Sequence, residues 1–243
     1  MHKVKHNNRS IQAFSLKRSG HHAILNWLMS ISNKPYCHYN NCRIVDDELY
    51  CYQVQRSSRI FRGTPVLSFE DKELKPLACS DIVKNFKKRI LILRDPYNTF
   101  ASRIRAKSNS EQSIWNKMWS NYLDKNLWKT YAKEFAGDTN YLGDCIKINY
   151  NSWFTSKEYR DEISKPFGKS SDKQLNYIPP YGDGSSFDGL SLQNNAQNMK
   201  VISRWESFID DKEFKEHIIN DDEIKTLSKR IFNFEIPDPR DKF

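Results

Sequence analysis

Two short segments gather the residue types that grip anions. The first, Ser15-Leu16-Lys17-Arg18-Ser19-Gly20-His21-His22, joins two cations, a hydroxyl, one glycine and two imidazoles. At the start of a helix, where unpaired backbone N–H groups point outward, that set makes an anion cradle. The second segment, Arg94-Asp95-Pro96 to Ser102-Arg103, offers Arg94 as a forked donor and Ser102 as a hydroxyl eight residues on. Asp95, Arg103 and Arg105 read equally well as an ordinary capping turn with solvated arginines. A third feature, Glu70-Asp71, supplies two carboxylates either of which could take a proton. Solvated charge in Glu70-Asp71-Lys72-Glu73 is the plain alternative.

The first loop is not a Walker A motif. That motif needs two glycines around four intervening residues and a lysine at the helix start, whereas here one glycine follows both cations. Nor does the sequence suggest zinc: His21 and His22 are adjacent, so on a helix they diverge by about 100°, and no HExxH or Cys/His spacing accompanies them. Hydrogen bonding to an anion suits them better.

The elements that must position these groups can be read from periodicity. Ile11 to Leu16 predicts a strand, and His21 to Ile31 a helix through Ile24, Leu25, Trp27 and Leu28. Pro65 to Phe69 reads as a second strand ending at Glu70. Arg89 to Leu93 is an apolar run of the kind buried on both faces of a parallel sheet. From Glu111 to Phe135, Trp115, Met118, Trp119, Tyr122, Leu127, Tyr131 and Phe135 recur at helical steps, which predicts one long amphipathic helix whose stripe is core. Cys145 to Ile148 reads as a fourth strand, and Ser156 to Phe167 as a helix closed by Gly168. Lys34 to Arg62 shows no clear period. Gly168 to Asn198 reads as a long loop, of the kind that forms functional lids. Val201 to Phe234 returns to helical spacing, with a helix start at Asp221-Asp222. Alternating strands and helices indicate an open α/β sheet, in which ligands bind beyond the carboxyl ends of the strands.

Composition narrows the class. The chain has 243 residues, 38% hydrophobic and 28% charged, enough for a real core and too polar for a membrane protein. One domain spanning residues 1–243 is expected. The net charge of +9 favours an anionic partner. Five cysteines without a CxxC pair suggest a reduced, cytoplasmic setting. Met1 to Ser10 has no apolar stretch, and no apolar run is long enough to span a bilayer, so neither signal peptide nor membrane span is expected.

With these residues in place, the chain resembles the sulfotransferases that use 3'-phosphoadenosine 5'-phosphosulfate (PAPS). Lys17-Arg18-Ser19-Gly20-His21-His22 looks like the family's 5'-phosphosulfate loop, and Arg94-Asp95-Pro96 to Ser102-Arg103 like its 3'-phosphate motif, closest in wording to the carbohydrate branch and to small bacterial or viral-type members. Ile148-Asn149-Tyr150-Asn151, the Gly184-Ser185-Ser186-Phe187 loop and Arg204-Trp205-Glu206 are also similar. The resemblance implies a P-loop-NTPase-like fold, a central parallel sheet flanked by helices. It implies that Lys17, Arg18, Ser19, Gly20, His21, His22, Arg94 and Ser102 bind PAPS, with Ser185 and Ser186 in a loop that closes over the 3'-phosphate or the acceptor.

Either Lys17 or Arg18 would guide the leaving phosphate; the cytosolic branch has a lysine at the position of Arg18. That branch follows Ser-Gly with Thr-Thr and an adenine-stacking tryptophan, where this chain has His21-His22-Ala23, so adenine is held by something else. Glu70 is the candidate base, with Asp71 its rival. PAPS lacks the β,γ-phosphates that Mg²⁺ bridges, so no metal is expected. The acceptor would be a small molecule or a glycan, with carbohydrate favoured. The rival readings are a nucleotide or sugar kinase of related fold, disfavoured by the missing Walker lysine, and a basic nucleic-acid-binding module, disfavoured by dispersed cations and core-periodic aromatics. A catalytically silent protein of the PAPS fold is a third.

Overall fold

A computed structural model describes residues 1–4, 10–32, 34–56, 63–84, 88–110, 121–169, 171–178 and 184–236. In chain order its elements are β1 (His2–Lys3), β2 (Ile11–Ser15), α1 (His21–Ile31), β3 (Tyr36–Asn40), β4 (Arg43–Val45), β5 (Glu48–Cys51), β6 (Gln53–Arg56), β7 (Thr64–Glu70), α2 (Leu74–Cys79), α3 (Asp81–Lys84), β8 (Lys88–Leu93), α4 (Pro96–Ser110) and α5 (Lys125–Ala136). There follow β9 (Ile146–Asn149), α6 (Tyr150–Thr155), α7 (Lys157–Ser164), α8 (Lys212–Phe214) and α9 (Asp222–Phe232).

The main sheet has the order β6-β3-β7-β2-β8-β9. Every neighbouring pair is parallel except the edge pair β3–β6. The chain is α/β, with a central, mostly parallel sheet covered by helices on both faces. The reason lies in the strands' alternation. Phe14, Leu67, Phe69, Leu91 and Leu93 point into one core, shared with Trp128 and Tyr131 of α5 and Leu227 of α9. Their neighbours Ala13, Val66, Ile90 and Ile92 point into another, shared with Ile24 and Trp27 of α1 and Trp153 of α6. A strand apolar on both sides must be covered on both sides.

Strand β2 pairs with β7 on one side and β8 on the other. The segments leaving the carboxyl ends of these three strands therefore meet at a point where successive connections run to opposite sides of the sheet, which is where open α/β sheets form ligand crevices.

Three sequence expectations need correction. The stretch 34–62, read as aperiodic, carries four strands. They are short and polar, and the β4–β5 turn is made by Asp46 and Asp47, both at positive φ (49° and 56°). The long helix expected over 111–135 does not run through: residues 121–124 form a turn, and α5 starts afresh at Lys125, capped by Asp124, whose side chain accepts from Leu127 N at 3.0 Å. Trp115, Met118 and Trp119 lie outside the described residues. Gly168 does follow α7, but not as a left-handed cap: a Cβ there would lie 2.2 Å from the carbonyl oxygen of Ile31, so close backbone approach demands the glycine. Within the loop expected over 168–198, residues 170 and 179–183 lie outside the described ones, and the rest is irregular with short 3₁₀ turns.

Candidate functional site

The β2–α1 loop is shaped by left-handed backbone at Arg18 (φ 67°) and Gly20 (φ 77°). Gly20 is also required by packing, since a Cβ would sit 2.0 Å from the ring of Tyr150. No side chain caps α1, so its first amides face out of the helix end. Asp71 braces the loop from the side. Its Oδ1 accepts from Lys17 N at 2.9 Å and pairs with Arg103 Nη2, while Arg103 Nε donates to Lys17 O at 3.2 Å. Arg103 is buried, so the solvated reading of it is corrected. Asp95 is likewise buried, and accepts from Asn98 N at 2.8 Å at the start of α4.

Arg94, at the end of β8, is buried and its guanidinium lies over the Tyr150 ring, 5.1 Å from its centroid. Its Nη1 donates to Arg18 O at 3.1 Å and to Ser102 Oγ at 3.2 Å, and its Nη2 donates to Val201 O. The structure thus joins the two sequence motifs directly. It also brings in Arg204, whose Nη1 donates to the same Ser102 Oγ at 3.2 Å and whose Nη2 donates to Ser185 Oγ at 2.7 Å. Asp188 Oδ2 lies 3.3 Å from Arg204. Arg204 is missing from the site expected from sequence, although the Arg-Trp-Glu similarity passed through it. Burial, then the nearby charge of Arg94, pulls its guanidinium down to about 10.

The Gly184 to Phe187 loop closes on this cluster. Arg18 Nη1 donates to Gly184 O at 3.3 Å, and Asn109 Nδ2 donates to Ser186 O at 3.1 Å. Several buried polar atoms here have no hydrogen-bond partner: Ser19 Oγ, Arg94 Nε and Ser186 Oγ. Buried donors are normally satisfied. All three lie in segments that Arg18, Arg94 and Arg204 tie together, which fits an anion carrying many acceptor oxygens.

Glu70 occupies the other side of the loop. Ser15 and Glu70 are register partners in the β2–β7 ladder, which sets Glu70 at the root of the loop. Its Oε1 lies 3.4 Å from His21 Nε2 and 4.0 Å from His22 Nε2. Burial alone raises the Glu70 pKa, but the charges of His21, His22 and Lys17 outweigh it and hold the carboxyl well below its usual range. His22 is pushed down to about 4, by burial first and then by the charge of His21. Its Nε2 lies 3.0 Å from Asn40 Oδ1, which also accepts from Ser68 Oγ at 3.1 Å. Ser68 Oγ in turn lies 3.0 Å from His38 Nε2. Although adjacent on the helix, His21 and His22 turn their rings together, with centroids 3.9 Å apart.

No family model matches the chain, and no curated protein matches it. Among solved structures, it is similar to mouse sulfotransferase SULT7A1 complexed with PAP, with a TM-score of 0.49 and 13% identity, over 93% of this chain and 90% of that one. Among the described residues, no helix is long and apolar enough to cross a membrane.

Proposed function

We propose that the chain is a sulfotransferase that moves the sulfuryl group of PAPS to an acceptor hydroxyl, a carbohydrate being the favoured acceptor. The observation that carries the reading is the pair of buried guanidiniums, Arg94 and Arg204, converging on Ser102 beside the β2–α1 loop. Arg204 is already paired with Asp188, whereas Arg94 donates to neutral oxygens, so an anion entering here answers a buried charge. A 3'-phosphate is such an anion, and the unpartnered Ser19 and Ser186 hydroxyls and Arg94 Nε fit the same class of ligand.

PAPS supplies the activated sulfuryl group and departs as adenosine 3',5'-bisphosphate. The chain's own part is positioning and electrostatics. Arg94, Ser102 and Arg204, with Ser185 and Ser186 from the closing loop, hold the 3' end. Lys17, Arg18, Ser19 and the open amides of α1 face the 5' end, where negative charge grows on the leaving oxygen. Glu70 is the base for the acceptor: it lies at the root of the same loop and is ionised, although the imidazoles and Lys17 that keep it so also weaken it as a base. Asp71 suits that role less, because its carboxylate is engaged by Lys17 N and Arg103.

Calorimetric titration with adenosine 3',5'-bisphosphate, against adenosine 5'-phosphate and ATP with Mg²⁺, tests the reading. Selective, metal-independent binding of the bisphosphate is expected, followed by transfer from labelled PAPS in an acceptor screen. Preference for ATP with Mg²⁺ would replace it with a kinase, and binding of none of the three would remove it.

A further inference from the structure

The cluster at the root of the loop has a composition that anion binding does not explain. Holding an anion gains nothing from a carboxylate, yet Glu70, assigned above to proton removal alone, is buried among two imidazoles at the end of β7. One nitrogen from each of His21 and His22 and one oxygen of Glu70 lie within 4.8 Å of one another. Drawing three such atoms onto a common ion at about 2.0–2.2 Å takes only small side-chain rotations.

A second, independent observation is the state of His21. Its side chain is 4% exposed, and its Nε2 meets Glu70 Oε1 only in a long, poorly formed contact at 3.4 Å. A buried ring nitrogen left that way is costly, and a ligand held between nitrogen and carboxylate satisfies both. The Nε2 of His22 lies 3.0 Å from Asn40 Oδ1, itself held by Ser68, so this ring gives up that contact or turns its other nitrogen inward to ligate an ion.

We propose that His21, His22 and Glu70 form a three-ligand site for a late first-row divalent cation of the Zn²⁺ type, with a coordination position left open. The donor set decides the class. Two imidazoles and one carboxylate suit Zn²⁺, Co²⁺ or Ni²⁺, whereas Mg²⁺ and Ca²⁺ require mainly oxygen ligands.

The site stands independently of the donor reading. One consequence alone rests on that reading: an ion there takes up the carboxylate oxygen assigned to proton removal, so Zn²⁺ is expected to inhibit transfer.

The test is calorimetric titration of chelator-treated protein with ZnCl₂, with MgCl₂ as a parallel arm. One equivalent of Zn²⁺ should bind and Mg²⁺ should not. His21→Ala and Glu70→Gln should each weaken Zn²⁺ binding by about tenfold or more, with circular dichroism checking that the variants fold. Should either fail to fold, the unaltered chain titrated with Co²⁺ keeps the proposal falsifiable. A visible d–d band saturating at one equivalent and displaced by Zn²⁺ supports the site, and no such band overturns it. Absence of saturable Zn²⁺ binding, equal binding of Mg²⁺, or Zn²⁺ binding unchanged by both substitutions also overturns it. Binding of adenosine 3',5'-bisphosphate is measured separately. Its loss would remove the donor reading and leave the metal site standing, whereas its presence without Zn²⁺ uptake would remove the metal site alone.

Discussion

Arg94 at the end of β8 and Arg204 in the 3₁₀ turn Arg204–Phe208 both donate to Ser102 Oγ, each at 3.2 Å. The hydroxyl's own proton goes to Asn98 O at 2.8 Å, so Ser102 has no capacity left; Arg204 is also paired with Asp188, whereas Arg94 donates to neutral oxygens. Arg94→Ala and Arg204→Ala should therefore each weaken binding of adenosine 3',5'-bisphosphate by roughly 10–100-fold, the value of a charge-assisted hydrogen bond. Adenosine 5'-phosphate should lose far less. Equal losses for both nucleotides in calorimetry would take the pair away from a 3'-phosphate.

Glu70→Gln keeps the shape of the side chain and removes its ability to accept a proton. The expected result is a fall in kcat of about 10²–10⁴-fold with nucleotide affinity nearly unchanged. Steady-state kinetics beside calorimetry separates this from a structural role, which would lower both.

The bracing of the loop by Asp71 and Arg103 can be measured as stability. Arg103 is buried, so Asp71→Asn leaves its charge without a partner, at a cost of about 3 kcal/mol in urea denaturation. Combining it with Arg103→Gln should cost less than the two single changes added together. Strict additivity would mean that the pair does not couple.

Gly20→Ala introduces a Cβ 2.0 Å from Tyr150 Cε2, at a φ of 77°. Overpacking alone costs about 1–3 kcal/mol, and backbone strain adds to it, so Tm should fall by roughly 5 °C or more. Combined with Tyr150→Ala, the substitution should cost less than the two single changes added together, because the clash is then gone and only the backbone part remains. A Gly20→Ala protein as stable as the parent would contradict the close packing.

Asp221 caps α9 and contacts Lys125 and Lys129, each at 2.9 Å. Burial raises its pKa, but hydrogen bonds from Lys129, Lys125 and the Ile224 amide more than offset this and bring it down to about 2 from 3.8. A carboxyl depressed in the folded state stabilises fully above its unfolded pKa and ceases to do so as pH falls through the folded one. Asp221 should therefore contribute constant stability above pH 4 and lose it between about pH 4 and 2. Asp221→Asn, which can still cap, should flatten that part of the stability profile. An unchanged acid limb would refute the assignment.

Much of the framework was legible because its signals are local. The apolar runs at Ile11 and Arg89, the spacing of Ile24, Leu25, Trp27 and Leu28, and the Asp221-Asp222 start each act within a few residues, and β2, α1, β8 and α9 form there. The four strands within 34–62 were not legible. Tyr36–Asn40 carries no apolar run, and becomes a strand because β7 pairs with it on one side and β6 on the other. The helix expected over 111–135 failed for the opposite reason: the aromatic spacing was visible, but the turn at 121–124 and the Asp124 cap outweigh it.

The sequence by itself determined which segments carry the cations and hydroxyls proposed to bind an anion and that they stand at the ends of strands, because side-chain type and hydrophobic period belong to the chain locally. Only the tertiary structure decided their company. The β2–β7 register sets Glu70 at the root of the loop, the start of α1 turns both histidines toward it, and the C-terminal segment folds back to bring Arg204 onto Ser102. Such contacts depend on strand order and on the direction of each side chain, and both are fixed only when the sheet buries its two faces.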